Sequence, residues 1–397
     1  MKMHSALFLA LALVACGPRA TTTGPVTAER IANPQALAKL AQGAAAAREP
    51  AGQKRAAELF REALTIDASL WEARYDLGVV LAASGELDAA AKELSKALEG
   101  APNEESIVIA LAEVERRRGR TKEGAEQLGQ FLKAHPRAAS VRESYVGALR
   151  EAKQPDKALA EARELLGMHP GEPGALAELA LCYLAKGDAE TAQLVAKQAV
   201  DASSKTGTKD DKVEGASKSE SAAVKQARSA KRAEKAYLAQ AMVAYQRGND
   251  AEAFAAFQKA AELDPSDPTP KMNMGAIYLR AGQFPKADEQ FRAVLMTSRD
   301  DIDALVGLAV ALRGQGSQEN PGKWGEAKAT LEKVLTLDKD NLAAQYNLAV
   351  LYMNFLKKPD DAKTAYARFL KLAPSSHPQV AAAKKAIEQI DAFKGAQ

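Results

Sequence analysis

Side chains suited to chemistry are sparse in this chain, which has two cysteines and four histidines among 397 residues. Cys16 ends a compact apolar run, Ala6 to Ala15, that follows Lys2. The run is too short to cross a bilayer and has the three zones of a secretory signal peptide, so residues 1–15 are expected to be removed on export. Cys182 lies between Leu181 and Tyr183 in an apolar stretch, where a thiol serves as a small buried hydrophobe. With Cys16 committed to the processed end, Cys182 has no second free thiol to pair with, and stability must come from packing. His135 and His169 precede prolines at equivalent positions, and His377 precedes Pro378. Those positions read as solvent-facing turns, while His4 falls in the leader. There is no Walker-type phosphate loop, no His-Glu-x-x-His and no paired Cys-x-x-Cys. Carboxylates are scattered along polar helix faces. The expectation is a non-enzyme with no catalytic residues, metal, cofactor or small-molecule substrate.

The elements that carry these side chains repeat. Pro102, Pro136 and Pro170 are 34 residues apart, and small and large residues recur around each in fixed phase. One copy runs through Leu77-Gly78, Leu81, Gly85, Ala90, Leu94, Ala97 and Pro102. Later copies pass through Leu111, Ala112, Gly119 and Leu128, then Tyr145, Leu149 and Ala158, then Leu179, Ala180, Tyr183, Gly187 and Ala192. The ladder restarts at Tyr237, Ala241, Gly248, Ala253 and Phe257 and continues through Met274-Gly275, Tyr278, Gly282, Ala287 and Phe291. Two looser copies follow, the first with extra residues around Gln318 to Gly322, and a degenerate copy around Ala56, Phe60 and Ala63 precedes them all. A small residue midway along one helix and alanine early in the next allow close backbone approach, with large residues filling the space beside them. Glycine ends the first helix and proline stops the second. The sequence has 47% hydrophobic but only 5% aromatic residues, as expected where alanines carry the close contacts.

These positions resemble the tetratricopeptide repeat (TPR), a helix, a turn and a second helix with a Leu-Gly, Tyr, Ala, Phe and Pro pattern. The resemblance implies an all-α solenoid, a right-handed superhelix of about nine helix-turn-helix repeats closed by a C-terminal capping helix. The cap is expected from Val380, Ala383, Ile387 and Ile390, which make one apolar stripe. In that family the first helices line a concave groove that binds peptides or helices of partner proteins. Its groove positions fall here on Tyr75, Val79, Glu113, Arg116, Arg117, Glu143 and Arg150 in a charged front wall. In the rear they fall on Leu238, Met242, Tyr245, Met272, Leu279, Val306, Val310, Tyr346, Val350 and Met353. That wall is apolar and sulfur-rich, suited to an amphipathic helix. Tyr75, Ile109 and Ala177 stand where the family's chaperone-binding carboxylate clamp has lysine, which argues against such a clamp.

Between Asp201 and Glu220 the period fails and Ser, Lys, Asp and Gly dominate, too polar to offset ordering entropy. The expected organisation is a signal peptide (1–15), a lipidated cysteine and tether (16–33), a front block (34–200), a low-complexity insertion (201–232), a rear block (233–375) and a cap with tail (376–397). Lys225, Arg228, Lys231 and Arg232 make a basic stripe within the insertion. It lacks interleaved aromatics for base stacking, and the net charge is only +3, so nucleic acid is not expected as a partner.

Leu13-Val14-Ala15-Cys16 resembles the lipobox of bacterial lipoproteins. That resemblance implies lipidation at Cys16, and Gly17 rather than aspartate after it implies sorting to the outer membrane, facing the periplasm. The expected role is a lipid-anchored scaffold that binds envelope proteins in its groove. Lipobox plus many repeats is similar in layout to lipoproteins of myxobacterial gliding motility. An alternative is a chaperone resembling the pilotins, which assist secretin or type IV pilus assembly.

Overall fold

The computed structural model describes residues 32–49, 51–206 and 222–395. The signal peptide, Cys16 and most of the tether lie outside the described residues, as does the central part of the insertion. All described elements are helices, nineteen of them. They run as α1 (Pro34–Ala46), α2 (Gln53–Ile66), α3 (Trp71–Ala83), α4 (Leu87–Gly100), α5 (Glu105–Arg117), α6 (Thr121–Ala134), α7 (Ala139–Glu151), α8 (Pro155–Met168), α9 (Pro173–Ala185) and α10 (Ala189–Thr206). The rest are α11 (Ala222–Gln246), α12 (Asp250–Leu263), α13 (Pro268–Arg280), α14 (Phe284–Thr297), α15 (Ile302–Gln315), α16 (Gly322–Leu337), α17 (Leu342–Asn354), α18 (Pro359–Leu372) and α19 (Val380–Gly395).

The period has a simple origin. A first helix of 13 residues, a short turn, a second helix of 14 residues and a slightly longer turn bring α5 into the same phase as α3. Positive-φ residues end the first helices at Gly85, Gly119, Gly187 and Gly282. Lys153 takes the same station with φ 57°, a conformation that favours glycine because it has no Cβ. Starts are fixed by side chains in the later repeats, where Asp267 accepts from the Thr269 amide, Asp301 from Ala304 and Asn341 from Ala344. Each satisfies a backbone donor that the helix itself leaves open.

The helices fall into two compact units that meet in sequence between Arg247 and Gly248. The blocks expected from composition divide instead at the insertion, 201–232. The difference has a physical cause, because α11 packs on α9 and α10, and two of its cations reach back to them and beyond. Arg232 pairs with Glu172 at the start of α9 at 3.1 Å, and Lys235 pairs with Glu143 of α7. Helix enters the insertion from both sides: α10 runs on to Thr206, past the expected end of the front block, and α11 begins at Ala222, where the alanine-rich basic stretch starts. In the rear unit α19 lies on α18, burying Ala383 and Ile390 and leaving Lys384, Lys385 and Glu388 exposed, as expected of a cap.

Candidate binding face

In the rear unit α13 touches α15 and α15 touches α17 directly, in addition to the second helices that each packs on. First helices therefore form a continuous inner row. Met272 and Leu279 on α13, Val306 and Val310 on α15, and Tyr346, Val350 and Met353 on α17 are all half-buried. Spacings of three, four and seven place each set on one face of its helix. Below them the packing is closed: Leu305, Leu308, Leu312 and Leu348 are buried. Tyr346 stands edge-on to Tyr366 and Phe369, with ring centroids 5.8 and 5.3 Å away.

Arg313, three residues after Val310, extends the same stripe. Its Nη1 donates to Asn347 Oδ1 at 3.1 Å, and its guanidinium lies 5.9 Å from the Phe355 ring centroid. Asn347 in turn donates to the Ala343 carbonyl at 2.9 Å. Burial pushes the Arg313 pKa below its ordinary value, and the opposing influences come from the Tyr346 and Tyr366 hydroxyls rather than from a carboxylate. The sequence reading missed Arg313 and Asn347, although their places one turn beyond Val306 and Val310 and beside Tyr346 would have marked them.

The front unit's inner side is different in kind. Tyr75 and Val79 are 7% and 8% exposed, and so offer little surface to a partner. Arg116 makes a two-point ion pair with Glu113 at 2.7 Å and a longer one, 3.9 Å, to Glu151. Arg117 donates to the Ala82 carbonyl at 2.8 Å, and Arg150 pairs with Glu178 of α9 at 3.0 Å. Against the burial that opposes its charge, Glu178 holds the Arg150 pKa above the ordinary value. Lys235 spans from α11 to Glu143 on α7. Helix α9, which touches both, has small residues in this region, Gly174 and Ala177, each buried. The front wall is thus charged and mostly ion-paired within the chain, Arg117 having a carbonyl rather than a carboxylate partner. Leu238 is 8% exposed, and Met242 packs against the front core. Tyr245 is half-buried on the last turns of α11. These three belong to the front unit and are not part of the row formed by α13, α15 and α17.

Two residues of the basic stripe are likewise engaged, Lys231 on Glu234 at 3.2 Å and Arg232 on Glu172. Cys182 is fully buried, and burial pushes its thiol up to about 12, far from a reactive thiolate. His135 lies against Phe131, ring centroids 4.5 Å apart, and His377 against Phe369 at 5.2 Å, while His169 is exposed. Among the described residues no cluster of three or more His, Cys, Asp or Glu could hold a metal. No helix among them is long and apolar enough to cross a membrane.

Comparison with known families decides the class. Tetratricopeptide repeat profiles match residues 54–113, 149–205, 244–312 and 321–387, together more than half of the chain, and a second profile of the same repeat matches 109–173 and 216–268. The chain belongs to the tetratricopeptide repeat family. A comparison of the TPR chain with curated proteins finds no match. Among solved structures, it is similar to a tetratricopeptide repeat protein from Parabacteroides merdae (14% identity, 81% of this chain and 98% of that one covered, TM-score 0.36). It is also similar to MamA from Desulfovibrio magneticus (18% identity, 51% and 93% covered, TM-score 0.36). A human IFIT1 dimer with m7Gppp-AAAA shows 18% identity over 86% of this chain and 72% of that one, TM-score 0.44. These likenesses extend to the helix-pair repeat alone.

Proposed function

We propose that this TPR protein is a non-catalytic adaptor that holds an apolar segment of a partner protein along the inner row of its rear unit. TPR proteins in general serve as protein-interaction scaffolds. The observation that carries this reading is the contrast between the two inner faces. In front, Arg116, Arg150 and Lys235 are ion-paired within the chain and Arg117 rests on a carbonyl, whereas the row from Met272 to Met353 remains half-exposed and apolar. Half-exposed thioether and aromatic side chains can adapt to a helix surface at low cost. We further propose that the adaptor is exported and anchored by lipid at Cys16, at the periplasmic face of an outer membrane, with envelope proteins as partners. The support for the anchor is the apolar run ending in Leu13-Val14-Ala15-Cys16.

Replacing Val310, Tyr346 and Met353 together with serine should lower partner recovery in pull-downs from solubilised membranes about tenfold or more, with helical circular dichroism retained. Unchanged recovery would remove the rear row from the proposal. Labelled palmitate should enter the wild-type chain and not Cys16→Ser, and the variant should leave the membrane fraction. Equal labelling of both would dispose of the anchor while leaving the adaptor role intact.

A further inference from the structure

The strongest unexplained feature of the inner row is a cation. Arg116, Arg150 and Arg280 each pair with a carboxylate of this chain, Glu113, Glu178 and Asp250 respectively. Arg313 is half-buried among the rear helices, yet among the described residues it has no carboxylate partner, only Asn347 Oδ1 and the face of Phe355. One neutral acceptor leaves most of the fork of guanidinium donors without a protein acceptor. A half-buried charge in that state is costly, and a carboxylate brought to it in a water-poor groove gains a two-point, charge-assisted pair. The residues around it limit what else that carboxylate can carry. Val306 and Val310 precede Arg313 on α15, and Tyr346 and Val350 flank Asn347 on α17.

Resting on the adaptor reading above, we propose that the rear row takes an amphipathic helix of a partner protein through its apolar face, and that one Asp or Glu side chain on that helix pairs with Arg313. Charge complementarity selects this occupant over a wholly apolar or a basic helix. Arg313 sets the register by fixing one carboxylate at the α15–α17 junction, and the flanking Val, Tyr and Met side chains supply contact area.

A displayed library of 16-residue helical peptides, apolar on one face, fused at its C-terminal end and randomised at two central positions, tests this with the full-length protein. Wild type should enrich Asp or Glu at a central position, and a selected peptide should lose affinity tenfold or more when that residue becomes Gln or Asn. Two variants separate charge from packing. Arg313→Gln removes the cation. Asn347→Asp keeps Arg313 stacked on Phe355 but supplies a carboxylate of nearly identical shape from within. Both should abolish the acidic preference while still binding apolar peptides. Enrichment of apolar peptides without an acidic residue would overturn the role of Arg313 and leave the groove standing. So would an acidic preference that survives in Asn347→Asp. No enrichment over the Val310, Tyr346 and Met353 triple serine variant would overturn the groove itself.

Discussion

Replacing Phe291 with alanine should cost the rear unit about 3 to 5 kcal/mol. The ring is 1% exposed and is approached closely by two glycines on neighbouring helices. A Cβ on Gly275 of α13 would lie 2.8 Å from the ring, and one on Gly307 of α15 would lie 2.5 Å from it. Phe291 on α14 therefore joins a helix pair to the next, at a point where glycine lets both neighbours approach. Neither glycine can swing a side chain into the space that alanine would leave. In a stack whose repeats contact only their neighbours, losing one such junction weakens the coupling along the array as well as the local pair. The two tryptophans make the effect measurable by place, since Trp71 lies on α3 in the front unit and Trp324 on α16 in the rear. In urea, the Trp324 transition should move to lower concentration while that of Trp71 stays. A shift of Trp324 corresponding to less than about 1 kcal/mol would mean that the junction is not held by this ring. The reverse substitution, Gly307→Ala, should also destabilise, by about 1 to 3 kcal/mol, because a buried ring must move to admit the methyl group.

The same contact shows why so much of the fold was legible in the sequence. Gly275, Phe291 and the prolines recur in phase because each repeat must solve one packing problem, and the solution leaves its mark in residue size. The helix pairs, the extra residues before α16 and the closing stripe of α19 all follow from that. The boundary between units did not, because it depends on Lys235 and Arg232 reaching Glu143 and Glu172, 92 and 60 positions earlier in the chain. No local pattern encodes such a pair. Inner-face positions were legible as helix register, but their state was not. Register places Tyr75 and Tyr346 at the same station, yet the first is buried beside Ser106 and Asp76 and the second stays half-open. What covers a residue is decided by the neighbouring repeat, so the front wall read as charged and available when most of its charges were already paired.

Asp76 gives the front unit a pH dependence that Asp76→Asn should largely remove. Its carboxyl is 5% exposed on α3, one turn after Glu72. Burial, with a smaller contribution from Glu72, raises its pKa from 3.8 to about 7. A raised carboxylate pKa means that the folded state keeps its proton in a range where the unfolded chain has lost it. From pH 4 to 7 the unfolded state binds fewer protons, so stability falls as pH rises and the full penalty is present above the folded value. Integrated between pH 5 and pH 8, a shift of this size is worth on the order of 3 kcal/mol. The Trp71 transition should therefore occur at lower urea at pH 8 than at pH 5, and Asp76→Asn, which fills the same space without the charge, should flatten that difference and stabilise the unit at pH 8. The Trp324 transition should be unaffected by Asp76→Asn at either pH. A Trp71 midpoint that is flat with pH in the wild type would mean that the Asp76 carboxylate is ionised at low cost in the folded protein, and that α3 opens to water more readily than its burial indicates.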